Sequence, residues 1–298
     1  MYKRMLVPLD GSELAEAALA FAKQLSGRLK LDVTFLHVCG SDESRFASMH
    51  HAYVDWVADN MKRQLKEAGI PVEAQGEAVV GHPAEEILQY AQKNRIDLIL
   101  MASHGRSGVM RWALGSVADK VLRASEIPVW LVRAASAQQS DYDKWLKITA
   151  LVPLDGSELA EQILPYVEAM VKQRGAEIVD VVLIRVCEPP AIPSDYPPGM
   201  PLSWDEHVEQ EMAKCSQRNE QYLSAVERRL RDADLSVRSQ LLMGKAADEI
   251  VDYAAKTPFS LIAMTTHGRS GLGRWVYGSV AEKVLLGVSN PILLVRPG

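Results

Sequence analysis

The stretch MASHGRSGVMRWALGSVADKV, residues 101–121, returns as MTTHGRSGLGRWVYGSVAEKV at residues 264–284. Its glycines and hydroxyl residues recur while several apolar residues change. A segment kept only for packing would retain its apolar positions and let the small polar ones vary. MLVPLDGSELAEAAL, from Met5, likewise returns as ALVPLDGSELAEQIL, from Ala150. Because this period is far too long for a solenoid, the repeat indicates that a whole domain is duplicated.

The chain length agrees with a duplication, because 298 residues fit two domains of about 150 residues each. We predict a first domain over residues 1–134, a small and polar linker over 135–145, and a second domain over 146–298. The second copy is the longer one. Most of its extra length is a proline-rich insert at about 188–203, whose prolines exclude a regular helix or a central strand.

Within each copy, short apolar runs alternate with segments of helical spacing. In the first copy the predicted strands are MLVPL, DVTFLHV, VEAQGEAVV, DLILMAS and PVWLVR, and helices are predicted between them. Alternating strands and helices form right-handed βαβ units, whose helices cover both faces of a parallel sheet. The sequence therefore predicts an α/β fold of two tandem doubly wound domains, each with a five-stranded parallel sheet.

The composition narrows the class of protein. Apolar residues make up 48% and charged residues 24%, which is ordinary for a globular protein with a sizeable core. The net charge of −5 argues against a nucleic-acid surface, which usually carries a basic excess. No apolar run approaches the roughly 18–20 residues of a membrane span, and the first residues lack the apolar run of a signal peptide. We expect a cytoplasmic protein with neither a nucleic-acid nor a membrane partner.

Cysteines and histidines give little sign of a metal site. The three cysteines show no CxxC spacing, so neither a disulfide framework nor a zinc site is indicated. Cys39 and Cys187 occupy matching places in the two copies, and we predict that both are buried packing thiols in a reducing compartment. His50 and His51 occur in the first copy alone and are interpreted as a pair near a helix start. No metal ligands are predicted.

Two repeated elements fall where open α/β sheets bind ligands, beyond the carboxyl ends of the strands. Asp10 and Asp155 follow the first strand of each copy, and the glycine-rich segment follows the fourth. The helix that starts after this segment presents unpaired N–H groups and the positive end of its dipole, which suits a phosphate. Gly105 and Gly268 permit backbone conformations in which N–H groups converge on such an anion.

A purely structural interpretation of these polar residues stands beside the ligand hypothesis. Ser116-x-x-Asp119 has the form of a capping box, and Asp10-x-x-Glu13 can likewise cap the first helix, as can their counterparts in the second copy. Duplication does not decide between the two, because caps are copied with the domain. Both elements lie at the same edge of the sheet, and the loop glycines are not needed for capping. These two observations favour a ligand site.

P-L-D-G-S-E after the first strand and H-G-x9-G-S-V-A before the last helix resemble the universal stress protein family in its tandem two-domain form. The resemblance covers nearly the whole of both copies. It implies strand order 3-2-1-4-5 and an adenine-nucleotide site, with G-x2-G-x9-G-[S/T] in the ATP-binding members. By this resemblance Asp10 would hold the ribose or adenine, and Val38 would contact adenine through its backbone.

By the same resemblance Met101 and Ala102 would lie along the ribose, and the glycine segment would hold the phosphates. The site residues implied in the first copy are Pro8, Asp10, Val38, Met101, Ala102, Gly105, Gly115, Ser116 and Val117. Those implied in the second copy are Pro153, Asp155, Val186, Met264, Thr265, Gly268, Gly278, Ser279 and Val280.

Both copies depart from the family motif at its first glycine, which is Ala102 in one and Thr265 in the other. Threonine is β-branched and bulkier than alanine, so it is expected to crowd the ribose. The first site is therefore expected to accept a nucleotide more readily than the second.

The predicted function is that of an ATP-binding stress-response regulator, with Mg²⁺ as the ion that usually accompanies a triphosphate. A slow ATPase and a nucleotide-free interaction scaffold are the alternatives. No Walker motif is present, and no nucleophile or carboxylate is repeated at a spacing that would pair with His104 or His267. We therefore assign no catalytic residue, and a loop-ordering role is preferred for the two histidines.

The resemblance also concerns assembly, because the last strands of family members pair across a two-fold axis in dimers. Here these strands are PVWLVR and PILLVR, and a tandem chain can satisfy the pairing internally as a pseudo-dimer. Exposed apolar edge strands invite association, so this edge needs cover. Whether two chains form a homodimer is left open by the sequence.

Overall fold

The structure is a computed structural model that describes residues 2–103, 114–133, 147–190, 204–267 and 277–298. The predicted linker at 135–145 lies outside the described residues, as do Gly105, Gly268 and His104. Of the predicted proline-rich insert, residues 191–203 also lie outside them.

The first half of the chain alternates strands and helices as the sequence predicts. Its elements are β1 (Arg4–Pro8), α1 (Glu13–Glu16), α2 (Ala18–Leu29), β2 (Asp32–Cys39), α3 (Ala47–Glu67), β3 (Ala74–Val80), α4 (Pro83–Lys93), β4 (Leu98–Ala102), α5 (Ser116–Ala124) and β5 (Val129–Val132). The segment predicted as the first helix is divided at Ala17 into two pieces, and the second piece continues to Leu29.

The second half repeats this order. Its elements are β6 (Ile148–Pro153), α6 (Glu158–Glu161), α7 (Leu164–Arg174), β7 (Val179–Cys187), α8 (Trp204–Arg231), β8 (Ser236–Met243), α9 (Ala246–Lys256), β9 (Ser260–Thr265), α10 (Ser279–Gly287) and β10 (Ile292–Val295). Helix α8 has 28 residues and its counterpart α3 has 21. The helix that follows the second strand is therefore longer in the second copy.

The ten strands form one sheet in the order β3-β2-β1-β4-β5-β10-β9-β6-β7-β8. Every neighbouring pair within a half is parallel, so the predicted order 3-2-1-4-5 is confirmed in both halves. The two halves meet through their last strands, β5 and β10, which pair antiparallel with Leu293 opposite Trp130.

Helices cover both faces of this sheet and enclose one apolar layer on each. Strands β4 and β5 are buried along their whole length, as expected for parallel strands with helices on both faces. Helix α3 lies close against β3 at Gly76, where a Cβ atom would lie 2.5 Å from the backbone nitrogen of Asp55. This position therefore admits only glycine without movement of the helix. Among the described helices, none is long and apolar enough to cross a membrane.

Arginines reinforce the junction between the halves in a reciprocal way. Arg133, just after β5, donates from Nε to the carbonyl of Val288 (3.0 Å) beyond the end of α10. Arg296, just after β10, donates from Nη1 to the carbonyl of Ala124 (3.3 Å) at the end of α5. A cation is favourable at a helix C-terminus, so each half caps the last helix of the other.

Candidate functional site

Each half contains a cavity at the carboxyl ends of its two central strands, where the sequence places the candidate site. The first cavity has a volume of about 310 Å³ and the second about 440 Å³. Of the predicted residues, the first is lined by Pro8, Asp10, Val38, Met101, Ala102, Gly115, Ser116 and Val117. The second is lined by Pro153, Asp155, Val186, Met264, Thr265, Gly278, Ser279 and Val280.

The acidic residue after the first strand is held by the turn that follows it. In the first half the Ser12 backbone N–H (3.0 Å) and hydroxyl (2.6 Å) both donate to Oδ1 of Asp10. The chain can turn back in this way because Gly11 adopts a positive φ of 77°. The N-cap of α1 is Ser12, whose Oγ accepts from the N–H of Ala15 (3.2 Å), so the capping role considered for Asp10 is wrong.

The second half reproduces this turn almost atom for atom. The Ser157 hydroxyl donates to Oδ1 of Asp155 (2.6 Å) and accepts from the N–H of Ala160 (3.1 Å). Gly156 has a φ of 78°. Here too serine caps the helix, so the capping role considered for Asp155 is wrong. The carboxylate instead lies on the cavity wall.

The glycine-rich loop begins and ends at one point of the cavity wall. In the first half the N–H of Gly115 donates to the carbonyl of Ser103 (2.8 Å), which closes the loop between them. The first intrahelical bond of α5 runs from the N–H of Asp119 to the carbonyl of Gly115 (2.9 Å). The backbone N–H groups of residues 116–118 therefore precede the helical ladder, and all three residues line the cavity.

Ser116 is not the cap of α5. The N-cap is Gly115, in an extended conformation, and Ser116 is the first helical residue. A capping box needs the serine at the N-cap position, so that interpretation is wrong for Ser116 and also for Ser279, which follows the N-cap Gly278. Asp119 instead pairs with Arg123 (2.8 Å) and accepts from the Tyr277 hydroxyl of the other half (3.2 Å).

The second half closes its loop in the same way, with one added contact. The N–H of Gly278 donates to the carbonyl of Thr266 (2.9 Å). Thr265, which replaces the first glycine of the motif, donates its hydroxyl to the carbonyl of His267 (2.6 Å). This hydroxyl is therefore engaged with the backbone of its own loop.

His267 lines the second cavity, and its Nδ1 lies 3.0 Å from the hydroxyl of Thr266. Burial, together with the nearby charge of Arg296, lowers the pKa of this histidine below its usual value. This shift favours the neutral form of the imidazole.

The charged wall of the second cavity was missed by the sequence reasoning. Arg185, on β7, is 7% exposed and donates from Nε to Oδ1 of Asn219 (2.9 Å) and from Nη1 to the carbonyl of Leu154 (3.1 Å). Arg218 and Glu188 also line this cavity. Arg185 directly precedes the predicted Val186, so strand alternation could have placed it on the face toward α8.

The same wall carries a disulfide. Cys187 is joined to Cys215 of α8, with Cα atoms 6.0 Å apart, and both sulfurs accept from Nδ2 of Asn219. The prediction of a packing thiol is therefore wrong for Cys187, because helix α8 brings a partner that lies far away in sequence. Cys39 is buried and takes no part in a disulfide, as predicted.

The comparisons with known proteins agree with this architecture. The universal stress protein family matches residues 1–133 and again 149–296. Universal stress protein Rv2005c of Mycobacterium tuberculosis is 24% identical, over 98% of this chain and 96% of its own. A universal stress protein structure from Archaeoglobus fulgidus covers 99% of this chain and 98% of its own, at 20% identity and a TM-score of 0.69.

A universal stress protein solved in complex with cAMP is 23% identical and covers 44% of this chain and 97% of its own, with a TM-score of 0.36. The family match spans most of the sequence, and it occurs once in each half. The chain therefore belongs to the universal stress protein family, whose domain it carries twice.

Proposed function

We propose that the two cavities bind adenine nucleotide, as ATP with Mg²⁺, and that the chain acts as a nucleotide-responsive regulator. One observation carries the proposal. A carboxylate held by its turn, the end of the second strand and the open N-terminus of a helix converge on one cavity, and this happens in both halves. Packing alone does not require the three to face a common space.

Each part of the cavity suits one part of a nucleotide. Asp10 and Asp155 would accept hydrogen bonds from ribose hydroxyls, while Val38 and Val186 would offer backbone groups to the base. The N–H groups at the start of α5 and α10 would bind the phosphates, which the positive end of the helix dipole also favours. Val117 and its apolar neighbours in the first cavity would exclude water from the ligand.

The chain is tested for bound nucleotide by denaturing the purified protein and measuring adenine nucleotide per chain by mass spectrometry. A thermal-shift titration with Mg-ATP runs beside it. At about 100-fold over Kd, binding adds roughly 2.7 kcal/mol. For a domain of this size the melting temperature then rises by about 5–10 °C.

Ser116→Glu separates binding from folding. An acidic residue in the first turn stabilises a helix by about 0.3–1 kcal/mol, so the apo protein keeps its fold. The same carboxylate lies at the proposed phosphate position and repels a triphosphate, so we expect at least a tenfold loss of ATP affinity in the first cavity. Ser279→Glu is the matched variant for the second cavity.

The outcomes distinguish the possible functions. A loss of nucleotide in Ser116→Glu, with an unchanged or higher melting temperature of the apo protein, supports the proposal. Release of ADP and phosphate from Mg-ATP by the wild type, lost in the same variants, would make the protein a slow ATPase. Absence of nucleotide and of any thermal shift in the wild type would leave a nucleotide-free scaffold.

We also propose that the tandem chain is an intramolecular pseudo-dimer. The antiparallel β5–β10 ladder and the reciprocal contacts of Arg133 and Arg296 support this assignment. A monomeric mass in light scattering, unchanged on dilution, is the expected result. A concentration-dependent doubling of the mass would show a further homodimer.

A further inference from the structure

A buried cluster of two imidazoles and a thiol lies behind the first cavity, and we call it the His–Cys–His cluster. It consists of His37, Cys39 and His50, which are 2%, 0% and 9% exposed. His37 and Cys39 are two residues apart on β2, so they point to the same face of the sheet. His50 faces them from the first turns of α3.

The three side chains offer their ligand atoms to one small volume. Each provides one nitrogen or sulfur, and these atoms all lie within 4.8 Å of one another. Zn²⁺ bonds imidazole nitrogen at about 2.0–2.1 Å and thiolate sulfur at about 2.3 Å, so tetrahedral ligand atoms lie about 3.3–3.6 Å apart. Side-chain rotations that shorten these separations by up to about 1.5 Å would bring the three atoms to such distances. The rings of His37 and His50, now stacked with centroids 4.2 Å apart, would turn toward the ion.

The second half shows that this place in the fold accepts a positive charge. Its equivalent strand carries Arg185 and Cys187, in the same register and with the same spacing as His37 and Cys39. A guanidinium is cationic at all ordinary pH values, and that of Arg185 is buried at this point. The first half has a neutral or titratable imidazole there instead of a fixed cation.

The third member of the cluster also has an equivalent. Tyr53 of α3 donates to Oε1 of Glu16 (2.7 Å), and Tyr222 of α8 donates to Oε1 of Glu161 (2.9 Å), which aligns the two helices. Three residues before each tyrosine stand His50 and Asn219, respectively. Asn219 binds the guanidinium, so in both halves this helix position faces the second-strand residue.

We propose that the His–Cys–His cluster binds one Zn²⁺ ion through His37, Cys39 and His50. The ion replaces in the first half the buried cation that Arg185 supplies in the second. On binding, the Cys39 thiol loses its proton to solvent and the sulfur coordinates as thiolate. Mixed imidazole and thiolate ligands favour Zn²⁺ over Mg²⁺ or Ca²⁺, which prefer oxygen.

The arrangement leaves a fourth coordination position. Three protein ligands with one open position are typical of zinc sites that bind water or a ligand. His37 and the neighbouring Gly40 line the first cavity, so the proposed zinc site borders that cavity. Zinc and a ligand in the first cavity would therefore influence each other's binding. The second cavity would have no equivalent metal site.

The test uses the full chain, freed of metal by a chelator and titrated with Zn²⁺ and, as a spectroscopic probe, with Co²⁺. We expect one ion per chain. The cobalt complex should show a thiolate-to-metal charge-transfer band, and with the Cys187–Cys215 disulfide intact Cys39 is the one remaining thiol among three cysteines. Cys39→Ser should abolish that band.

His50→Asn is the decisive variant, because it installs the residue that the second half carries at this position. Its matched control is His51→Asn, which removes the neighbouring exposed histidine bonded to Asp55 (2.8 Å). Loss of an outer-shell partner already costs about 10–100-fold in metal affinity, so loss of a ligand should exceed about 100-fold. His51→Asn should bind like the wild type.

Circular dichroism of each metal-free variant shows whether it is folded before titration. A wild type without the charge-transfer band would overturn the proposal. So would a folded His50→Asn that binds Zn²⁺ with wild-type affinity, or a band that persists in Cys39→Ser.

Discussion

The two cavities share a backbone frame but differ in one wall. The serine hydroxyl lies 2.6 Å from the aspartate oxygen in both halves, and the bond that closes the glycine loop measures 2.8 Å in one and 2.9 Å in the other. Behind this frame the first half has His37 facing His50, whereas the second has Arg185 bonded to Asn219. After duplication, the parts made by backbone and small residues stayed alike, and the side-chain wall between the second strand and the following helix diverged.

The largest effect is expected from removal of the fixed cation of the second half. Arg185→Met leaves the carbonyl of Leu154 and the amide oxygen of Asn219 without their buried donor. Such losses cost about 1–3 kcal/mol for each group, so we expect the second half to lose about 2–6 kcal/mol of unfolding free energy. Urea denaturation followed by circular dichroism measures the loss.

His37→Met is the matched change in the first half. In the metal-free protein it removes no permanent charge, so we expect a smaller loss of about 1–2 kcal/mol, within the range usual for single substitutions. Equal losses in the two variants would show that the two walls are energetically equivalent despite their different chemistry.

Reduction of the disulfide should come next in size. The bridge joins Cys187 to Cys215 across 28 positions of sequence. In the chain-entropy view, a loop of this length stabilises the folded state by about 3–4 kcal/mol. Urea unfolding with and without a phosphine reductant measures the difference, and Cys215→Ser should reproduce the reduced midpoint without reductant.

Cys39→Ser serves as the control for the disulfide prediction, because its thiol lies in the first half and takes no part in the bridge. This variant should respond to the reductant as the wild type does. An unchanged midpoint on reduction would contradict the predicted stabilisation by the disulfide.

A smaller effect is expected at the position where the two halves depart from the family motif. Thr265→Ala gives the second half the residue that the first has at Ala102, and it removes the hydrogen bond to the carbonyl of His267. One such bond contributes about 0.5–1.5 kcal/mol, which thermal unfolding can resolve. Because the hydroxyl is engaged with the backbone, we expect ATP affinity of the second cavity to change less than about threefold, below 1 kcal/mol. A larger gain in affinity would instead support the crowding of the ribose that the sequence predicts.

The smallest predicted effect is a pH dependence of the second half. Burial and Arg296 lower the pKa of His267 in the folded state, so the unfolded state binds more protons at mildly acidic pH. Stability from this group is therefore present above the unfolded pKa of about 6.5 and is lost as the pH falls. Melting temperatures from pH 8 to about 5 should decline less in His267→Gln, and parallel curves would exclude this histidine as the cause.

The repeat and the alternation of apolar runs predict the α/β class and the two tandem domains, whereas the strand order 3-2-1-4-5 comes from the family resemblance, which spans both copies. The cavity residues at the ends of strands and helices could also be predicted, since Asp10, Ser116 and their counterparts occupy fixed places there. The helix caps were predicted wrongly, because a sequence pattern does not show which residue precedes the first helical turn. Gly115 occupies that place in α5.

The side wall could not be predicted for a different reason. His50, Asn219 and Cys215 lie on long helices whose register against the second strand depends on tertiary packing and not on local spacing. The cysteine pair illustrates the difficulty, because Cys187 and Cys215 have no motif spacing and meet only when α8 packs against β7. The sequence predicts the cavity residues at the ends of the strands. It does not predict the helix residues that pack against the second strand of each half.

The antiparallel β5–β10 ladder has a consequence for how the two halves can change. Separate subunits that pair through their last strands come apart on dilution and exchange partners, and every substitution appears in both of them at once. When the same strands belong to one chain, dilution does not separate them and no foreign partner can enter. A substitution then appears in one half alone, so one half can specialise while the other keeps its original task.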